Sequence, residues 1–278
     1  MKFTKMHGIG NDYIYFNCFE ENIDNPSELS VRLSDRHKGV GGDGIVLIMP
    51  SEKADFRMRM FNADGSEGKM CGNATRCIGK YVYDRGLTDK TDITLETLSG
   101  IKRLHLDTDC GRVSKITVNM GKAEFAADKI PVISDTAEVA GKEVMLAGKM
   151  QKITCVSMGN PHCVIFSENV NKLDLEKIGS LYENDPMFPE RINTEFVEVL
   201  DDNTLFMRVW ERGSGETMAC GTGACAAVSA AVKNKIVLPD KFITVKLLGG
   251  DLEIKYQADS NVIMRGTAEF VFDGELCR

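Results

Sequence analysis

Two short stretches of this 278-residue chain hold the residues best suited to chemistry: Cys71-Gly72 in "KMCGNATRC" and Cys220-Gly221 in "MACGTGACA", 149 positions apart. Each thiol follows an extended alternating run ("FRMRMFN", "LFMRVWE") and a Gly-rich bend, and each precedes small residues that read as a helix. The pattern places both sulfurs at helix N-termini. There, backbone N–H groups and the positive dipole end favour an anion and lower a thiol's pKa from about 8.5 towards neutrality. A matched pair of such thiols suits the inversion of a carbon centre. One thiolate takes a proton from one face, the other thiol returns one to the opposite face, and the roles exchange on reversal. The carbanion needs stabilisation, and two helix N-termini converging on the adjacent carboxylate provide it. No motif for an electron-sink cofactor occurs, so no cofactor is expected.

The elements that must position these thiols form an internal repeat. At a fixed offset of 149, Gly10-Asn11 falls on Gly159-Asn160, Met58-Arg59 on Met207-Arg208, Glu67 on Glu216 and Cys71-Gly72 on Cys220-Gly221. The turns "TLSGIKRL" and "LLGGDLEI" match with a slip of one. The reading is a duplicated domain with its site in the cleft between the copies. Alternating runs predict strands at "KFTKM", "YIYFNC", "FRMRMF", "DITLET" and "SKITVNM", then at "KITCVSM", "HCVIF", "NTEFVEVL", "LFMRVW" and "FITVKLL". Helices are expected in "NPSELSVRLSDRHKG", in "NKLDLEKIGSLYEND" and after each thiol. The expected fold is α+β, each half a mostly antiparallel sheet wrapped around a central helix. The first domain covers 1–122, joined by a C-terminal strand at 268–278, and the second covers 123–267.

Composition narrows the function classes. The chain is 43% hydrophobic and 27% charged with a net charge of −7, and it has no basic stripe, which argues against nucleic acid as a partner. No apolar run approaches membrane length and "MKFTKMHGIGND" lacks the apolar core of a signal peptide, so no membrane partner and a cytoplasmic location are expected. Nine scattered cysteines fit a reduced compartment. Without a CxxC pair and with four dispersed histidines, a zinc site is not expected. Cys18, Cys77, Cys110, Cys155, Cys163 and Cys225 read as packing residues. "GVGGDG" at Gly39–Gly44 is neither GxGxxG nor a P-loop.

The segments "MHGIGND", "DRHKGVGGDG", "MRMFNADGSEGKMCGNATRC", "MGNPHCVIF", "RINTEFVEV" and "VWERGSGETMACGTGACAA" closely resemble the diaminopimelate epimerase family, from Met1 to about Phe272. The resemblance implies a cofactor-independent enzyme that interconverts LL- and meso-2,6-diaminoheptanedioate in lysine and peptidoglycan precursor synthesis. It implies a two-domain fold with a pseudo-twofold axis, commonly a homodimer. It makes Cys71 and Cys220 the acid/base thiols, with Gly72, Asn73, Gly221 and Thr222 offering backbone N–H groups to the reacting carboxylate. Asn11, Asn62, Asn160, Asn193 and Arg212 match positions that hold the substrate, chiefly its distal end, with Arg212 the fork for the distal carboxylate. Glu211 matches a position that binds amino groups, and His162 one that tunes protonation together with Glu211. Where some members carry a substrate-binding glutamine, this chain has Gly44.

Taken singly, these residues read more plainly. Asn11 and Asn160 read first as turn residues after glycine, Glu211-Arg212 as a solvated pair ending a strand, and His162 as a core or edge histidine. Two other functions stay open on the sequence. A related racemase of another amino acid would not need Arg212 as a distal clamp, and a thiol redox sensor or binding module would show a reversible disulfide with no proton exchange.

Overall fold

The computed structural model describes residues 1–277. Arg278, which ends the expected strand 268–278, lies outside the described residues. The chain divides into two units, one of Met1–Asn119 together with the residues from Arg265 onward, the other of Met120–Met264.

In chain order the elements are β1 (Lys2–Gly8), β2 (Asn11–Asn17), α1 (Pro26–Ser34), β3 (Gly44–Met49), β4 (Phe56–Asn62), β5 (Glu67–Gly68), α2 (Gly72–Asp84), β6 (Asp92–Thr97), β7 (Gly100–Asp109) and β8 (Arg112–Lys122). They continue with β9 (Lys142–Leu146), β10 (Lys149–Ser157), β11 (Pro161–Phe166), α3 (Leu175–Glu183), β12 (Asn193–Asp201), β13 (Thr204–Glu211), β14 (Gly215–Glu216), α4 (Gly221–Lys233), β15 (Ile243–Leu247), β16 (Gly250–Tyr256), β17 (Asn261–Gly266) and β18 (Glu269–Glu275). Strand β18 lies antiparallel to β1 in the first unit.

The pairing pattern repeats. In the first unit β1/β2 is antiparallel, β2/β3 parallel, β3/β4 antiparallel, β4/β6 parallel and β6/β7 antiparallel. In the second, β10/β11, β11/β12, β12/β13, β13/β15 and β15/β16 run through the same alternation. Parallel neighbours need a crossover, and a helix fills each one: α1 and α2 in the first unit, α3 and α4 in the second. The result is the expected α+β fold of two like units, each mostly antiparallel.

Local chemistry explains where the helices start. Asn25 accepts the Glu28 N–H at 3.3 Å and Pro26 takes the first position of α1. Asp174 does the same for α3 through the Lys177 N–H at 3.3 Å. The two helices that follow the thiols are buried almost all round, from Gly72 to Val82 in α2 and through Ala231 in α4. A helix enclosed in this way must be built of small or apolar residues, or must pair its charges. The sequence "GTGACAAVSAAV" meets the first condition. Helix α2 meets the second: Arg76 Nε donates to the Thr267 carbonyl at 3.1 Å, and Lys80 pairs with Asp84 at 3.0 Å. Gly79 lets α2 sit close to the sheet, because a Cβ there would lie 3.0 Å from Leu106 and 3.1 Å from Leu104. In β4 the alternation buries Phe56, Met58 and Met60, and in β13 it buries Leu205, Met207 and Val209.

One packing expectation is corrected. Cys77, Cys155, Cys163 and Cys225 are buried and Cys18 is half-buried, but Cys110 is exposed in the tight turn between β7 and β8. Its φ of 49° beside Gly111 marks a turn position that turns the side chain outward. Among the described residues no helix is long and apolar enough to cross a membrane.

Candidate active site

Both thiols are helix N-caps. Cys71 Sγ accepts the Ala74 N–H of α2 at 3.5 Å, and Cys220 Sγ accepts the Gly223 N–H of α4 at 3.3 Å. The first residues of each helix, Gly72-Asn73 and Gly221-Thr222, directly follow a sulfur, so the N–H groups of a helix N-terminus start next to each thiol in the chain. The bend before each thiol is held by a two-pronged ion pair at equivalent positions. Arg59 grips Glu67 at 2.7 and 3.0 Å, and Arg208 grips Glu216 at 2.7 and 2.9 Å. These are repeated residues, and they anchor the short hairpins β4/β5 and β13/β14.

In the first unit the structure brings Cys71, Asn11 and Asn73 together. Gly10 takes a φ of 87°, which turns the chain so that Asn11 reaches the helix end. Asn11 Oδ1 lies 3.4 Å from Cys71 Sγ and accepts from Asn73 Nδ2 at 3.1 Å, while Asn11 Nδ2 donates to Asp43 Oδ2 at 2.7 Å. Asp43 in turn meets Arg36 at 3.1 Å, and Arg36 also binds Asp12 at 2.7 Å. Burial, reinforced by the Asp12 charge, pushes the Asp43 carboxyl above the usual carboxylate range. Asn62 stands apart from this cluster, donating to Ser66 Oγ at 3.0 Å within its own turn.

In the second unit Asn160, after Gly159 with its φ of 96°, occupies the place equivalent to Asn11. Its Nδ2 donates to Thr222 Oγ1 at 3.3 Å, and Thr222 Oγ1 lies 3.5 Å from Cys220 Sγ. Its Oδ1 lies 3.0 Å from His162 Nε2, and His162 Nδ1 lies 2.6 Å from Glu195 Oε1. Glu211 accepts the Thr217 hydroxyl at 2.5 Å, and burial raises its carboxyl. Cys220 departs from the expected lowered thiol. Burial pushes it well up, and the Glu211 and Glu195 charges add to that effect, outweighing Thr222 and the Gly223 N–H, which act the other way. Asn193 uses its amide on backbone, donating to the Pro161 carbonyl at 2.7 Å and accepting the Arg212 N–H at 2.9 Å. Arg212 thus starts from a fixed backbone, with one guanidinium N–H on the Glu190 carbonyl at 2.9 Å.

Two polar residues of these clusters escape a reading of the sequence. Asp43 lies in the "GVGGDG" loop, whose glycines resemble a phosphate loop and draw attention away from the carboxylate. Glu195 lies two residues beyond Asn193, hence on the same face of β12, and that period was the available signal. Gly44 has a steric cause. A Cβ there would fall 2.0 Å from the Phe61 carbonyl oxygen, so this backbone admits no side chain, glutamine included.

Two like α+β units define a class of fold that solved structures share. A hydroxyproline epimerase from Agrobacterium vitis matches with a TM-score of 0.72 at 13% identity over 99% of this chain and 91% of that one. A phenazine biosynthesis protein of the PhzF family from Bacillus anthracis matches at 0.71 and 17% identity over 100% and 99%. Sequence similarity is far narrower. The diaminopimelate epimerase family profile matches residues 3–126 and 154–271. The diaminopimelate epimerase of Acetivibrio thermocellus is 57% identical over 99% of this chain and 98% of its own. That of Methanococcus maripaludis is 53% identical over 99% of both. The chain belongs to the diaminopimelate epimerase family.

Proposed function

We propose that this protein interconverts LL- and meso-2,6-diaminoheptanedioate by a two-base reaction, with Cys71 and Cys220 as the proton-transferring groups and no cofactor. The observation that carries the reading is the pair of thiols capping equivalent helices in a chain of this family. In each direction one sulfur, as thiolate, removes the α-proton and the other, as thiol, protonates the opposite face. Charge then flows onto the α-carboxylate, which the N–H groups of Gly72, Asn73, Gly221 and Thr222 receive. Asn11, Asn62, Asn160 and Asn193 hold the substrate, chiefly its distal amino-acid end, Arg212 clamps the distal carboxylate, and Glu211 takes an amino group. His162 and Glu211 tune protonation near Cys220. A homodimer working in the cytoplasm, within lysine and peptidoglycan precursor synthesis, completes the proposal.

The test is incubation in deuterated water, following chirality and α-deuterium together. LL-diaminopimelate is expected to exchange and epimerise. Lysine, which lacks the carboxylate for Arg212, is expected to lose an interaction of about 1.5 to 3 kcal/mol and to exchange very slowly. Faster exchange of lysine or histidine than of diaminopimelate would replace this reading with that of another amino-acid racemase.

A further inference from the structure

Glu195 is fully buried, and so is the histidine that it touches. Its Oε1 lies 2.6 Å from His162 Nδ1, while its Oε2 is buried with no hydrogen-bond partner among the described residues. A carboxylate half satisfied in the interior costs stability. The fold itself does not require it, because the repeat places Val46 at the equivalent point of β3 in the first unit.

A second departure from the repeat accompanies the first. Where α2 has Ala74, α4 has Gly223. A Cβ at Gly223 would stand 2.8 Å from Glu195 Oε1 and 3.2 Å from Cys220 Sγ. Glycine within a helix costs about 1 kcal/mol relative to alanine. Here it makes room for a carboxylate beside the thiol's own capping N–H. A third departure is His162 itself, which replaces Tyr13 of the first unit.

We propose that Glu195 is a positioning residue. By holding the His162 ring it fixes which end of the Asn160 amide faces Thr222 and Cys220. A carboxylate only accepts, so His162 Nδ1 must donate to it, and the ring's orientation is set. Asn160 Oδ1, 3.0 Å from Nε2, also only accepts, so Nε2 must donate as well: the ring carries both protons, as an imidazolium paired with the Glu195 carboxylate, and Asn160 Nδ2 is left to donate to Thr222 Oγ1 at 3.3 Å. The equivalent Asn11 is turned the other way, with Nδ2 on Asp43 and Oδ1 towards Cys71. The two asparagines thus present opposite ends to their thiols, and an acid selects the orientation in each case, the half-buried Asp43 directly and the buried Glu195 through His162. The catalytic part of this role rests on the proposed epimerase reading.

Full-length Glu195→Ala and Glu195→Gln variants test it. Glutamine still offers an oxygen to Nδ1–H and alanine does not. For diaminopimelate, Glu195→Ala is expected to lower kcat about 100-fold with little change in KM, and Glu195→Gln to recover at least about a tenth of the wild-type rate. In histidine-labelled protein, the His162 ring N–H resonance, assigned by its loss in His162→Asn, is expected to be protected from solvent in the wild type. It should vanish in Glu195→Ala and move upfield in Glu195→Gln, where the acceptor carries no charge. A folded Glu195→Ala enzyme with kcat within about threefold of wild type, or glutamine as damaging as alanine, overturns the role. So does a His162 signal that neither substitution moves. If the alanine variant does not fold, the glutamine variant's signal and rate decide alone. A wild type that leaves diaminopimelate unexchanged sinks the functional reading, whereas the His162 resonance judges the positioning geometry without any substrate.

Discussion

Cys71 and Cys220 cap equivalent helices in units with the same order of strand pairing, yet their surroundings differ in polarity. Around Cys71 stand two amides, Asn11 and Asn73, with the acid Asp43 one residue further out. Around Cys220 stand a hydroxyl, an imidazole and two carboxyls: Thr222, His162, the fully buried Glu195 and the half-buried Glu211. The difference shows what duplication constrains. Features that shape the backbone recur: the glycine turn before each asparagine, the Arg–Glu side-chain grip on the bend, and the helix end. Side chains that only need to reach the sulfur have diverged. A two-base reaction suits that divergence, since at any moment one sulfur must be a base and the other an acid.

The largest expected effect removes one side of the comparison. Cys71→Ala and Cys220→Ala should each fold and each lose epimerisation, below about 1% of wild-type turnover, because inversion needs both faces. An analogue with a leaving group beside the reacting carbon separates the sides. Elimination needs only proton removal, so each variant should process the stereoisomer whose proton faces its surviving thiol. The two variants should therefore prefer opposite stereoisomers. Identical preference, or full epimerisation by either variant, would end the division of labour.

Much of this was legible because local rules fix it. The thiols follow alternating strands and a Gly-rich bend, and precede small residues that read as a helix, so both N-caps are readable in "MCGNATRC" and "ACGTGACA". Strand β3 was not read, since "GIVLIM" is a continuous apolar run without alternation, buried on both faces. The Glu195–His162 pair joins residues 33 positions apart through the register of two parallel strands, which no local pattern encodes. The raised Cys220 thiol is hidden from the sequence for the same reason. A helix end is visible in the sequence, but two carboxyls folded against it are not. Arg212 and Asn193 were read as substrate residues from resemblance, and the backbone bonds that also hold them appear only in three dimensions.

A smaller effect concerns that raised thiol. In a Cys71→Ser background, the rate of Cys220 alkylation by a small neutral reagent should rise only at a pH above the ordinary thiol range, since burial and neighbouring carboxyl charge both oppose the thiolate. Glu211→Gln removes one negative neighbour. The alkylation profile should then move to lower pH, with a several-fold faster reaction at neutral pH. A profile that stays in place, or moves up, would mean that Glu211 does not act on Cys220 through its charge.

The smallest effect compares the two Arg–Glu grips. Their forks have nearly the same geometry, so any difference in stability must come from their surroundings. The Arg59 and Glu67 side chains are 30% and 29% exposed, those of Arg208 and Glu216 only 12% and 16%. Arg59 stacks over the Phe61 ring at 4.9 Å. Arg208 instead spends its third nitrogen, Nη1, on the Leu173 and Val170 carbonyls at 2.6 and 3.1 Å, tying β13 to the loop before α3. Exposed pairs contribute at most about 1 kcal/mol, while hydrogen bonds to a charged group contribute about 1.5 to 3 kcal/mol. Arg208→Ala should therefore destabilise by about 2 to 3 kcal/mol and Arg59→Ala by about 1 kcal/mol, measured from urea midpoints at constant slope. Raising the salt concentration should shrink the Arg59 effect more, because exposed charges are screened. Equal losses, or a larger loss at Arg59, would show that the extra carbonyl contacts of Arg208 contribute nothing and that the two halves are alike here in energy as well as in form.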